Sequence, residues 1–486
     1  MSSFAREDSK TSTPRNSSSP HSTIDDIELA LRLPLPPSSS TIARSLNSES
    51  REGQGLALKP VDKGFGAWSF LAGAFVVETI VWGFPNAYGV FLSVYLDDPK
   101  FGSQPHASSI LPLVGTLSSG IIYCSSKSHC PFWNAYLRRY PRHRRPAMWL
   151  GAIACFASLF GASYARTVNE LVALQGVLYA LGASLTYQPT ISYMSEWFVE
   201  RRGTANGIMF AGTALGGLFL PLILPPLISA HGTSVTLRYL SVAVIALLIP
   251  AIPFIKPRLP ESRVHGPGRR EDNTTWMTDW RLWALLCINT IQGFAYFVPI
   301  VYLPTFTSAV NSSTTVSALA VALLNGASVF GRVILGALSD RVSPWLLATC
   351  ALLLSSISTF VLWGVAGSAT AGVLVFGITY GLVAGGWSSL WNGFVKPLSK
   401  GDPTRATSLF SILLLSRGLG NVLSTPISTA LAATSSQAVS HSHTGFKVDG
   451  GRYESMIVYV GTCFAVASTL TAAGFVRERS VAKRSA

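Results

Sequence analysis

From Trp68 onward the chain alternates long apolar runs with short polar breaks. A hydrocarbon core about 30 Å thick is crossed by about 20 helical residues, so each run predicts one span. The runs fall at 68–95, 107–125, 146–165, 168–191, 203–229, 236–255, 280–307, 314–337, 344–366, 369–395, 405–431 and 454–476. An irregular segment or an open sheet would leave its backbone groups unsatisfied in lipid. The pattern therefore predicts an all-α integral membrane protein of twelve transmembrane helices.

The polar stretches set the organisation. Residues 1–66 are rich in Ser, Pro and Thr and lack the apolar core of a signal peptide, so they read as a disordered cytosolic tail. The segment 256–279 is the longest polar break among the spans and holds Pro257, Pro260 and Pro267. It reads as a cytosolic linker between two six-helix halves, 67–255 and 280–476, with a short cytosolic tail at 477–486. Internal echoes support the division. Gly83-Phe84 matches Gly293-Phe294, Tyr179-Ala180-Leu181 matches Tyr380-Gly381-Leu382, and Arg202-Gly203-Thr204 matches Arg405-Ala406-Thr407, in the same order.

Composition agrees with burial in lipid. Of 486 residues 49% are hydrophobic and 12% charged, where a soluble domain has about 25% charged; mean hydropathy is +0.38. The net charge of +14 would suggest nucleic acid in a soluble chain, but here the basic residues cluster in alternate loops. Arg138, Arg139, Arg142, Arg144, Arg145, Arg201, Arg202, Lys256, Arg258, Arg341, Lys396, Lys400 and Arg405 fall on one side, and Lys100, Arg166, Lys447 and Arg452 on the other. The bias places both termini in the cytosol, with the cell membrane as the default location and the vacuolar membrane as the alternative. No nucleic-acid partner is expected, and no oligomer is required.

Six cysteines form no CxxC pair, and no HExxH, GxSxG or phosphate loop is present. We expect buried free thiols, no cofactor, no metal site and no enzyme. Two sequons occur, at Asn273 in the linker and Asn311 in a short outer loop.

The most specific stretch is Gly331-Arg332-Val333-Ile334-Leu335-Gly336-Ala337-Leu338-Ser339-Asp340-Arg341. Its glycines permit close helix approach, and Asp340 with Arg341 at a helix end suits a latch onto a neighbouring helix terminus. This stretch resembles the loop signature of the major facilitator superfamily. The equivalent first-half loop, Tyr136 to Arg145, keeps the basic cluster without an aspartate. Two further stretches, Asp62-Lys63-Gly64-Phe65-Gly66-Ala67-Trp68 and Trp197-Phe198-Val199-Glu200-Arg201-Arg202-Gly203-Thr204-Ala205-Asn206-Gly207, are similar to the two signatures of its monocarboxylate porter family. The long Ser/Pro-rich start is like that of the fungal branch. The resemblance implies the major facilitator fold and alternating access. It departs from proton-coupled members at Asn86, where they carry a lysine, and at Ser328, where they carry an aspartate.

Charge within a span is costly unless it faces water or a partner, which singles out Glu78, Arg332 and Arg417. Arg332 reads as a substrate anchor, part of a gate, or an interhelical pair with Asp340 or a helix terminus. Arg417 suits an anion, and Glu78 a proton carrier or the partner of an arginine. The resemblance implies a cavity lined by the first, fourth, seventh and tenth helices. That adds Asn86, Tyr88, Gln188, Gln292, Tyr296, Trp387 and Asn392, with Pro85, Pro189 and Pro299 as expected helix breaks. The expected function is secondary transport of a small organic solute, with export of a fungal secondary metabolite ahead of uptake of a monocarboxylate or vitamin-like acid. A non-transporting membrane sensor is the alternative from another class.

Overall fold

A computed structural model describes residues 60–125, 141–259, 277–311, 313–400, 402–433 and 444–485. The tail through residue 59, Arg138, Arg139, Cys130, Asn273 and most of the linker lie outside these. The described chain is helical: α1 Gly64–Asp97, α2 Ala107–Cys124, α3 Arg144–Ala162, α4 Tyr179–Trp197, α5 Arg202–Ala251, α6 Trp280–Val310, α7 Thr314–Ser339, α8 Pro344–Ile357, α9 Thr370–Ala384, α10 Trp387–Ser399, α11 Pro403–Ala433 and α12 Glu454–Ser485. Short turns and π-helical stretches, Val172–Leu178 before α4 and Ser358–Val365 after α8, extend some of them.

Ten helices among the described residues are long and apolar enough to cross a membrane. The predicted twelve runs differ from this at two places. The runs 203–229 and 236–255 lie in one 50-residue helical stretch, α5, made of two helices that meet at a kink. The kink is at Gly232, which has φ 77° and ψ 163°, values a side chain would resist. A Cβ on Gly212 would meet the Phe75 carbonyl oxygen at 2.5 Å, while one on Gly73 would meet Phe254 Cβ at 3.0 Å. Residues on both sides of Gly232 thus lie on one turn of α1, so α5 folds back there as two antiparallel arms. The other place is α2, whose apolar stretch Ile110–Cys124 is shorter than the rest.

Other boundaries move outward. The expected tail 477–486 is helical through Ser485 as the end of α12, and α1 starts at Gly64 inside the expected disordered tail. Large apolar side chains face outward along single helices, as with Leu353, Leu354 and Ile357 on α8, each about half exposed. A bilayer, not a protein partner, suits that surface. The interior holds the big aromatics: Trp197, Trp345, Trp363, Trp387 and Trp391 are less than 2% exposed. Of the five described cysteines, all free, only Cys155 is buried, while Cys287 and Cys350 are exposed on the apolar surface. The expectation of buried thiols is corrected to that extent.

Candidate functional site

The α4–α5 turn anchors the architecture. Asp62, just before α1, has φ 57° and its carboxylate accepts the backbone N–H groups of Val199, Glu200 and Arg201 at 3.0–3.2 Å. Phe70 stacks on Trp197 at 6.2 Å, and the Trp197 indole N–H donates to the Lys256 carbonyl at 2.8 Å. The two stretches singled out in sequence, 62–68 and 197–207, are therefore one contact in space.

From this turn α5 runs along the second half of the chain. Asp340 accepts the N–H of Gly203 at 2.8 Å, the N–H of Thr204 at 2.9 Å and the Thr204 hydroxyl at 2.8 Å. Asn206 donates to Asn392 Oδ1 at 2.7 Å, Arg332 donates to the Phe210 carbonyl, and Asn325 donates to the Gly217 carbonyl at 3.0 Å. The backbones touch between these bonds: a Cβ on Gly207 would meet the Arg332 carbonyl oxygen at 2.5 Å, and one on Gly336 would meet Gly207 Cα at 2.9 Å. Further along, Gly212 and Gly216 turn to α1, where their Cβ atoms would meet the Phe75 and Thr79 carbonyl oxygens at 2.5 Å. Of the expected latch pair, Asp340 engages. Arg341 is exposed and makes no side-chain bond among the described residues, because the N-terminus of α5 accepts an anion and repels a cation. Asp340 is also not the partner of Arg332.

Between α1, α2, α4, α5, α7, α10 and α11 lies a cavity with an empty volume of about 300 Å³. Its walls are Glu78, Trp82, Tyr123, Tyr187, Phe210, Thr213, Arg332, Ser388, Trp391, Leu414 and Arg417. The three intramembrane charges expected from sequence thus meet at one place. The open part of that space has room for about one water. An organic solute enters only as the walls move.

Each charge has its own setting. Glu78 Oε1 accepts from the Thr213 hydroxyl at 2.7 Å, while Oε2 is buried without a partner. The Arg332 Nε donates to the Gly385 carbonyl at 3.1 Å, and Nη2 reaches the Tyr296 hydroxyl at 3.5 Å. That carbonyl is available because the span 370–399 breaks between α9 and α10 at Gly385-Gly386. Arg417 donates to Gln292 Oε1 at 2.6 Å. Its guanidinium lies over the rings of Tyr296 at 4.4 Å and Phe297 at 5.4 Å. Among the described residues neither arginine has a carboxylate within ion-pair distance, although both are buried.

The other expected residues divide. Gln292 and Tyr296 hold the arginines at the cavity edge. Asn86 donates to the Thr213 carbonyl at 3.1 Å and Tyr88 to the Leu111 carbonyl at 2.8 Å, so both join helices. Gln188 donates to Ser125 at 3.4 Å. The Trp387 indole donates at 2.8 Å to Asn289, which also receives the Trp391 indole at 3.1 Å. Pro85, Pro189 and Pro299 do not break their helices, which run on through them; interhelical packing re-satisfies what a proline frees in a span. Sequence reasoning missed Trp82, Tyr123, Phe210, Thr213 and Trp391. A signal existed for Trp82, which is four residues from Glu78 and so on the same helix face.

The model of the family described as the Major Facilitator Superfamily matches residues 130–425, more than half of the chain. The chain belongs to the major facilitator superfamily. Similar proteins include the MFS-type transporter pytF of Aspergillus terreus, 29% identical over 285 residues that cover 58% of this chain and 92% of that one. The fujikurins efflux protein of Gibberella fujikuroi is 27% identical over 339 residues, 68% of this chain and 69% of that one. Among solved structures, the proton:xylose symporter XylE with a bound bromodeoxyglucose superposes with a TM-score of 0.60 at 15% identity. The match covers 83% of this chain and 94% of that one. At that identity the likeness concerns the fold. As a major facilitator protein the chain is a multi-pass membrane transporter, and the cavity beside α5 and α7 is its candidate solute site.

Proposed function

We propose that this transporter exports a small organic anion with an unsaturated ring body, a fungal secondary metabolite, by alternating access. The observation that carries the proposal is the pair of buried arginines on one aromatic-walled cavity, where the single carboxyl, Glu78, lies beyond ion-pair distance of both. A buried guanidinium without a counter-ion is costly, and an acidic solute supplies one. The rings of Trp82, Tyr123, Tyr187, Phe210 and Trp391 suit a flat body. Relatives named as efflux proteins support the direction, and the motif residues 62–68 and 197–207 support the monocarboxylate porter branch. We assign no catalytic chemistry and no cofactor to the site.

In this proposal there are twelve spans, with the two arms of α5 and the shorter α2 each counted, in bundles 67–255 and 280–476 joined by a cytosolic linker. Both termini are cytosolic and the protein sits in the plasma membrane. The Asp340 end then faces the cytosol, and the bonds along α5 close the cytosolic side. The test compares small molecules inside and outside cells with and without the gene product. An acidic compound that leaves the medium and accumulates inside the null cells supports export. An organic acid that persists in the medium around null cells overturns export in favour of uptake. Deleting residues 1–60 separates both from a sensor: flux that survives the deletion supports a transporter.

A further inference from the structure

Resting on the organic-anion proposal above, we propose that the two buried arginines divide the work: Arg417 binds the solute's acidic group, and Arg332 is a gate between the halves of the chain.

The partners of each guanidinium differ in kind. Arg332 has all three nitrogens engaged, by the Gly385 carbonyl, the Phe210 carbonyl and the Tyr296 hydroxyl. Phe210 belongs to α5 in the first half of the chain, whereas Gly385 and Tyr296 belong to the second. Any motion that parts α5 from α7 must break the Phe210 bond and leave the other two in place. Arg332 therefore joins Asp340, Asn392 and Asn325 in a row of bonds from α5 to the second half, running from residue 203 to residue 217, about 21 Å of helix. Arg417 makes no bond to a backbone carbonyl among the described residues. It is seated mainly on second-half groups, the neutral Gln292 amide and the faces of Tyr296 and Phe297, and it also meets the Tyr123 phenol of α2, in the first half. Aromatic faces and a neutral amide orient a guanidinium without neutralising it, which leaves its charge for the solute. Because most of its seat moves with one half, Arg417 keeps its place through the transport cycle, as an anchor must.

The test uses the purified full-length chain and two measurements. The first is calorimetric binding of 1-naphthoate against its neutral counterpart 1-naphthamide. The second needs no ligand: the labelling rate of Thr407→Cys by a maleimide, in a chain whose own cysteines are replaced by serine. Thr407 meets Ser195 at 3.2 Å where the halves close. We expect Arg417→Gln to weaken naphthoate at least tenfold and to leave labelling within twofold. We expect Arg332→Gln to raise labelling about tenfold and to weaken naphthoate less than threefold. Arg417→Lys and Arg332→Lys, which keep the buried charge, repeat the comparison should a glutamine variant fail to fold. Loss of naphthoate binding in the Arg332 variants with binding kept in the Arg417 variants overturns the division. A wild-type chain that does not distinguish naphthoate from naphthamide overturns the organic-anion proposal and the anchor with it, while the labelling rates still judge the gate.

Discussion

Asp62 and Asp340 divide one helix N-terminus between them. Asp62 takes the N–H groups of Val199, Glu200 and Arg201, and Asp340 those of Gly203 and Thr204. Both are carboxylates at the positive end of α5, where backbone donors lack helical partners. Their places in the chain make them unequal: Asp62 precedes α1, in the same half as α5, whereas Asp340 ends α7, in the other half. The first bond set therefore lies within one half, a fixed fastening, whereas the second joins the two halves and must break if they part.

Removal of the bonds between the halves should bias the conformation without unfolding the protein. Asp340→Ala deletes three hydrogen bonds to a charged acceptor, each worth about 1.5–3 kcal/mol at most before water replaces it. We expect a net shift of about 2 kcal/mol toward the state in which the Asp340 end is open, roughly thirtyfold in population. Maleimide labelling of a cysteine at position 407 should rise accordingly, with thermal stability nearly unchanged. Equal labelling in variant and wild type would show that the latch carries no energy in this equilibrium.

Loss of the fixed fastening should instead destabilise the fold. Asp62→Ala removes the acceptor for three backbone donors and forces a left-handed φ on a side chain that resists it. Asp62→Asn tolerates that φ and keeps one acceptor oxygen. We expect Asp62→Ala to cost about 2–3 kcal/mol and Asp62→Asn about half as much, read as the midpoint of thermal unfolding in detergent. Equal midpoints for the two variants would argue against the cap.

The charges and signatures were legible in sequence, and the faces were not. Glu78, Arg332 and Arg417 stand out because a charge in an apolar run has few places to go, and all three reach one cavity. Asp340 stands out by its place in the glycine-rich loop signature at a helix end. Amides and phenols carry no such signal: Asn86 and Tyr88 tie helices together, Gln292 and Tyr296 support the arginines, and nothing in their neighbours separates the cases. Trp391 and Tyr123 are invisible because an aromatic in a span serves core and cavity alike. Helix breaks were sought at prolines and lie at glycines, Gly232 and Gly385-Gly386, since a proline costs one hydrogen bond while a positive φ or a close backbone approach requires the absence of Cβ.

The close approach of α5 to α7 makes a steric prediction. At Gly207 a Cβ would sit 2.5 Å from the Arg332 carbonyl oxygen, whereas nothing lies within 4 Å of a Cβ at Gly89. Gly207→Leu should hold the helices apart and reduce flux at least tenfold while the protein still reaches the membrane, and Gly89→Ala should leave flux within twofold. Normal flux in Gly207→Leu would mean that this contact is not made in the transport cycle.

Glu78 is the one carboxyl on the cavity, and its Oε2 has no hydrogen-bond partner. Protonation gives that oxygen a hydrogen and makes it a donor, and a carboxyl inside a span is a group that can take up and release a proton there. Exchange of an inward proton for an outward solute therefore runs through Glu78 if the export is proton-driven. In vesicles carrying the transporter, an imposed pH gradient should accelerate wild-type flux severalfold. Glu78→Gln, which keeps the Thr213 bond and cannot ionise, should support solute exchange at equal pH yet show no response to the gradient. A gradient response that survives in Glu78→Gln would place the coupling elsewhere in the chain.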